Sequence, residues 1–339
     1  MTRIYSTLDK HPDLYNETIS LIEREFNYPQ DHSFKIDFYP LINKNNLQHC
    51  HILIYEGHVI AHIGIKLRNI GNNKFSSPVA LIGGIAVNSK YHGQGVFRDF
   101  FEKVLDDHKN YVSLFLLWGN LDQLYQKFGF IQAGGIIQTG TGHIINLEQF
   151  EKTKLIHLNN NDYSKVKCLY HDHVLTRYLS LGRSERDWEE IKETTSTDIY
   201  LYRKEGNVVG YFFANKGADL SNIIHEYVFP ELLDNEILNI LSSYSLWLPE
   251  KYNTRFNKKE KLYAALFCPG RNFPRLIESW SNEKISQVEI DHHNISFIFN
   301  SETFTLTLEE FIQGIWGPNP IEEFESIGKP IYISGADSI

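Results

Sequence analysis

The residues of this chain best suited to chemistry are two glycines and a tyrosine. Gly93 and Gly95 bracket Gln94 in the stretch His92-Gly93-Gln94-Gly95-Val96-Phe97, and Tyr125 follows further on. Ahead of the glycines, Val79 to Val87 is an unbroken apolar run, which suits a strand buried on both faces. Behind them Phe97, Phe100, Phe101, Val104 and Leu105 recur at helical spacing, with Asp99, Glu102, Lys103 and Asp106 opposite. A buried strand that enters a helix through glycines leaves backbone N–H groups unpaired at the positive end of the helix dipole. Glycine lets a bulky anion approach them, so the turn reads as a site for a phosphate-bearing ligand. An ordinary strand-to-helix turn has the same local pattern. Two other phosphate loops are excluded: Arg98 stands where a dinucleotide fingerprint needs a third glycine, and no GxxxxGK[ST] stretch occurs.

The elements that must hold these residues follow in order. A second buried strand is expected over Tyr111 to Leu117. Leu121, Leu124, Tyr125 and Phe128 then mark a short helix stopped by Gly129. Strand, glycine turn, helix, strand and helix make an α/β unit. Before it, a strand is expected over Arg3 to Leu8, a helix through Leu14, Ile19, Ile22 and Phe26, and a hairpin over His49 to Tyr55 and His58 to Leu67 turning at Glu56-Gly57. After it, Gly134-Gly135 reads as a break, and Ile136 to Leu147 as a closing strand pair.

The glycine turn and Leu124-Tyr125-Gln126-Lys127-Phe128-Gly129-Phe130, in this order, resemble the acetyl-CoA-binding core of the GNAT N-acetyltransferase superfamily. The likeness spans residues 1–150 and is strongest over 80–130. It implies that His92, Gly93, Gln94, Gly95, Val96 and Phe97 cradle the CoA pyrophosphate. It also implies that backbone N–H groups of Ile85, Ala86 and Val87 hold pantetheine and polarise the acetyl carbonyl, and that Tyr125 protonates the departing thiolate. A phenol suits that task because it stays protonated at neutral pH. His92 stands where the superfamily usually has Arg or Gln, Phe97 where it has a small residue, and Trp118 where Asn is frequent. A bulky residue at position 97 also resembles the enhanced-intracellular-survival type.

Direct transfer to an amine also needs a base, and Val79 to Val87 contains no ionisable side chain. His49, His51 and His62 lie on the neighbouring hairpin, and His62 is one candidate. The other comes from the resemblance: in the enhanced-intracellular-survival type the chain's own terminal carboxylate is the base, which points to Ile339. Its segment, Ile331-Tyr332-Ile333, is apolar enough to be buried, and simple packing of the tail between domains is the plainer reading of it.

The chain's 339 residues suggest more than one domain. The expected fold class is α/β (α+β): a GNAT domain over 1–150 with a mixed central sheet flanked by helices, a degenerate GNAT-like domain over 151–285, and a small C-terminal unit over 286–339. The second domain echoes the first in element order, but Phe229-Pro230-Glu231-Leu232 offers no glycine loop, so CoA binding is not expected there. A net charge of −9 argues against nucleic acid as a partner. Cys50, Cys168 and Cys268 form no CxxC pair, no apolar run is long enough for a bilayer, and the N-terminus lacks a signal-peptide core, so a cytoplasmic protein is expected. No metal motif stands out: His171 and His173 cannot share a helix face, and His292-His293 has no supporting cluster. The functional expectation is an acetyl-CoA-dependent N-acetyltransferase acting on a small-molecule or protein amine. A non-catalytic CoA-binding scaffold and a Fem-type aminoacyltransferase are the alternatives.

Overall fold

The computed structural model describes residues 3–144, 147–256, 259–324 and 327–339. The N-terminal strands are β1 (Ile4–Thr7), β2 (Cys50–Tyr55), β3 (His58–Gly71), β4 (Ser76–Val87), β5 (Leu114–Leu117) and β6 (Ile131–Thr139). β7 (Glu151–Thr153), β8 (Ser180–Gly182), β9 (Asp198–Lys204), β10 (Asn207–Ala214), β11 (Ile224–Val228), β12 (Leu246–Pro249) and β13 (Lys259–Pro269) follow. One mixed sheet joins them in the order β1-β2-β3-β4-β5-β13-β6-β12-β11-β10-β9-β7, with β8 added on β3. The α/β class expected from the sequence is therefore the one observed. A separate three-stranded sheet, β14 (Ile285–Asp291), β15 (Asn294–Phe299) and β16 (Glu302–Thr307), leads into the helix Leu308–Trp316.

The seam of the large sheet is β13. It runs antiparallel to β5, with Leu266 opposite Leu117, and antiparallel to β6, with Ala265 opposite Ala133. Its Ala264, Ala265, Leu266 and Phe267 are buried, as a strand flanked on both edges requires. β4 and β5 pair in parallel from Val79–Leu114 to Ile82–Leu117. Alternation along β4 separates two cores. Ala80 and Ile82 face the helix Val96–His108, while Val79 and Leu81 share a core with the helix Tyr15–Glu25 and with Ile331, Ile333 and Ile339 of the tail.

Two local expectations are corrected. The closing strand pair over Ile136 to Leu147 is a single strand, β6, whose partner β13 is supplied from far along the chain; Ile145 and Asn146 lie outside the described residues. Gly134-Gly135 does not break the chain but sits inside β6. A methyl group on Gly134 would lie 2.6 Å from the Ala264 Cβ and 3.2 Å from Ile331 Cγ2, so glycine marks a close approach of neighbouring chain. Between the helix Tyr15–Glu25 and β2 lie two short helices, Phe34–Asp37 and Tyr39–Ile42.

The tail is held by a buried ion cluster. Asp337, 2% exposed, accepts from Arg68 Nη2 of β3 at 3.1 Å and from Arg183 Nη2 at 2.7 Å. Arg183 Nη1 also donates to Glu226 Oε1 of β11 at 3.1 Å, and Ser334 Oγ donates to the same carboxylate. Burial by itself would raise the Asp337 pKa, but Arg183 and Arg68 outweigh it and hold the carboxyl below its ordinary range. Removing one member of such a cluster leaves uncompensated buried charge. Asp337→Ala should therefore cost about 3 kcal/mol of stability, read as a lower urea midpoint at unchanged slope; an unaltered midpoint would mean that the cluster does not anchor the tail.

Candidate active site

β4 is regular up to Gly83 and then carries one extra residue. Gly64 of β3 opposes Gly83, whereas His62, two positions earlier, opposes Ala86. Gly84 absorbs the bulge at φ +59°, and a Cβ there would lie 3.1 Å from both the Phe34 and His62 rings. His62 Nδ1–H donates to Gly84 O at 2.7 Å and braces the bend. Pairing with β5 ends at Ile82–Leu117, after which β5 stops while β4 continues to Val87. The edge of β4 from Gly83 to Val87 is thus open. Asn88 N–H returns to Ile60 O on β3 at 2.9 Å, so strand alternation turns the backbone of Val87 toward the open edge. There Val87 O accepts from His92 Nε2 at 2.8 Å.

The glycine turn lies just beyond. Gly93 and Gly95 have φ +74° and +76°, and no atom lies within 4 Å of a Cβ at either position. Gly95 opens the helix Val96–His108 with no side chain capping its first N–H groups. The turn is exposed, so these amides present the positive helix end to an incoming anion. Gln94 Nε2 donates to Lys90 O at 3.1 Å, and Phe97 stacks on Phe101 with ring centres 5.1 Å apart.

Two groups flank the opening from opposite faces. On the helix side, Tyr125 packs among Phe97, Phe101 and Phe130, and burial pushes its phenol up to about 12. On the other side, the terminal residue Ile339 lies against Gly83: a methyl group there would sit 2.5 Å from the Ile339 carboxyl carbon. Only glycine leaves room for the terminus at this place. Lys216, 1% exposed, clamps the approach, with Nζ donating to Gly335 O at 3.2 Å, Ser338 Oγ at 3.1 Å and Ser338 O.

The structure thus sets Ile85, Ala86 and Val87 at the unpaired end of β4 and residues 92–97 in the turn and helix start that follow, with Tyr125 in the core on the helix side and Ile339 against Gly83 on the other face. His62 stands behind the bulge, wholly buried. Burial pushes its pKa down to about 4 against the pull of the Gly84 bond, and its Nε2 is buried without a partner. His51 is turned away, bonded through Nδ1 to Tyr5 at 2.7 Å. Sequence reasoning missed Lys216, Arg183 and Glu226, which meet the tail across more than a hundred residues. The only signal for them was the apolar tail itself.

Comparison with known proteins gives this arrangement its context. The sequence pattern of the acetyltransferase (GNAT) family matches residues 15–130. Those residues, about a third of the chain, are thus similar to a GNAT acetyltransferase domain. Among curated protein sequences none matches. Among solved structures, a conserved Enterococcus faecalis V583 protein of unknown function, described as a probable N-acyltransferase, is similar at 14% identity and TM-score 0.61, covering 91% of this chain and 86% of that one. A GCN5-related N-acetyltransferase from Anabaena variabilis ATCC 29413 is similar at 15% identity and TM-score 0.57, with 90% and 85% covered. Eis1 from Mycobacterium abscessus is similar at 9% identity and TM-score 0.56, again with 90% and 85% covered. The matched segment is thus part of a fold shared over nearly the whole chain.

Lys216 lends itself to a direct pH test. Burial pushes its pKa down to about 7, against the opposing pull of Asp337, Asp219 and Asp37. The folded protein then binds fewer protons here than the unfolded chain between pH 7 and about 10. Stability from this group must rise with pH across that window and be lowest below it. Relative to Lys216→Met, the wild type should gain stability as pH increases from 7 to 10; parallel stability curves would show that Lys216 titrates normally.

Proposed function

We propose that this protein is an acetyl-CoA-dependent N-acetyltransferase that moves an acetyl group directly to a primary amine. The observation that carries the reading is the open edge of β4 leading into the glycine turn, with Tyr125 packed in the core on the helix side and Ile339 against Gly83 on the other face. The residues present suit the co-substrate. Two open glycines and an uncapped helix N-terminus fit a pyrophosphate, and the backbone of Val87, turned to the open edge, fits an extended pantetheine, whereas alternation turns the Ala86 amide toward β3.

In the proposed reaction the amine lone pair forms the new N–C bond and the thioester C–S bond breaks. The sulfur takes its proton from Tyr125, whose raised pKa keeps it a donor, and the amine gives its proton to the terminal carboxylate. Of the two bases left open by the sequence, we favour Ile339. His62 is wholly buried, and its Nδ1–H is engaged by Gly84. A cytoplasmic setting and a soluble amine acceptor accord with this reading, and no helix among the described residues is long and apolar enough to cross a membrane.

Two measurements test it. Calorimetry should give micromolar binding of acetyl-CoA, and Gly95→Asp should weaken it by about 100-fold or more through like-charge repulsion, with the fold intact by circular dichroism. No binding by the wild type would overturn the reading, whereas binding without turnover over a broad amine panel would fit a scaffold. Adding three residues after Ile339 should lower kcat by about 10²-fold or more while sparing acetyl-CoA affinity, the loss typical of a missing general base. Full turnover in the extended protein would rule the carboxylate out.

A further inference from the structure

Beside the opening lies a cavity of about 270 Å³ that the proposed chemistry does not yet use. It is set between β5, β13, β6 and β12, and its walls include Trp118, Trp247, Leu262, Tyr263, Ile136 and Ala265. Trp118 and Trp247 are half-buried and Tyr263 is 43% exposed, so three large rings stand at a concave surface that no other chain segment among the described residues fills. Its polar lining is sparse: Asp122 accepts from Gln132 Nε2 at 2.5 Å, and Trp247 Nε1 is already bonded to Gln138 at 2.7 Å.

Its position ties it to the reacting groups. The last paired residues of β4 and β5 are Ile82 and Leu117. The next residue on β4 is Gly83, against which the terminal carboxylate lies. The next after β5 is Trp118, which lines the cavity. Ile136 and Ala265 belong to the same core as Ile339, and Trp118, Trp247 and Leu262 pack on it, so the cavity opens on the carboxylate's face of the sheet. Gly119, another wall residue, comes within 3.3 Å of the Tyr125 ring, measured from the place of its Cβ.

We propose that this cavity holds the body of the acceptor, and that the acceptor is a primary amine on a short tether to a single apolar ring, an arylalkylamine. The proposal rests on the acetyltransferase reading and narrows its substrate class. The volume lies at the small end of ligand pockets, enough for one ring and not for an oligosaccharide. Indole faces take an aromatic ring in stacked or edge-on geometry. A polyamine or aminoglycoside needs several free carboxylates, and the lining offers one, already engaged by Gln132. With the ring between Trp118 and Trp247, a two-carbon tether points the amine past Trp118 toward Gly83. There its nitrogen bonds to the acetyl carbon, its proton passes to the Ile339 carboxylate, and the sulfur leaves with the Tyr125 proton.

The test uses the full chain with acetyl-CoA, following thiol release with 2-phenylethylamine, spermidine and kanamycin as probes. The expected result is a kcat/KM for 2-phenylethylamine about tenfold or more above the other two. Trp247→Ala should raise the KM for 2-phenylethylamine about tenfold at unchanged acetyl-CoA affinity, and Trp247→Phe, which keeps a ring, should recover most of it. A thermal melt identifies a variant that fails to fold, in which case the wild-type ranking of the three amines decides alone. Turnover of spermidine or kanamycin without 2-phenylethylamine, or an unmoved KM in folded Trp247→Ala, overturns the arylalkylamine assignment and leaves the acetyltransferase reading standing. Absence of acetyl-CoA binding overturns both.

Discussion

Asp337 is buried between two arginines drawn from distant parts of the chain, and the placement of the C-terminus depends on that contact. Arg68 comes from β3 and Arg183 follows β8, while Glu226 on β11 completes the charge balance. Charges so deeply buried are tolerated only when paired and fully hydrogen-bonded. The cluster therefore specifies one location for residues 334–339 more than it adds net stability. Replacing all its members by apolar groups could make a sturdier protein and would lose the register of the tail.

That register matters because Ile339 lies against a stretch of β4 shaped to receive it. Gly83 gives room on the tail's face, Gly84 bends the strand, and the end of β5 leaves the edge open. Three independent features, an absent side chain, a bulge and a short neighbour, coincide within a few residues. Lys216 adds a buried amine against the backbone oxygens of the tail, fixing the last turn, Gly335–Asp337, in place.

The second half of the chain is more than an appendage to the first. Its β13 completes the sheet between β5 and β6, its β12 pairs with the outer edge of β6, and both line the cavity beside the opening. The half without a glycine loop thus helps to shape the surface next to the loop of the other half. Division of labour of this kind is common where two sheets fuse edge to edge, because the junction supplies concavity that neither half has alone.

Local pattern was enough to reveal the core of the N-terminal half. The apolar run of β4, the glycines at 93 and 95, the amphipathic helix behind them and the Tyr125 element follow from spacing and side-chain type alone, and each appears where spacing puts it. The apolar character of Ile331 to Ile333 likewise announced a buried tail. What only the tertiary structure decided are contacts between residues far apart in the chain. The insertion of β13 between β5 and β6, the pairing of Asp337 with Arg68 and Arg183, and the closeness of Ile339 to Gly83 are of this kind. Periodicity reports which face of an element is buried, but it carries no information about which distant segment covers that face. Gly134-Gly135 shows the same limit: glycines that suggest a break in one dimension are, in three, the places where neighbouring chain comes closest.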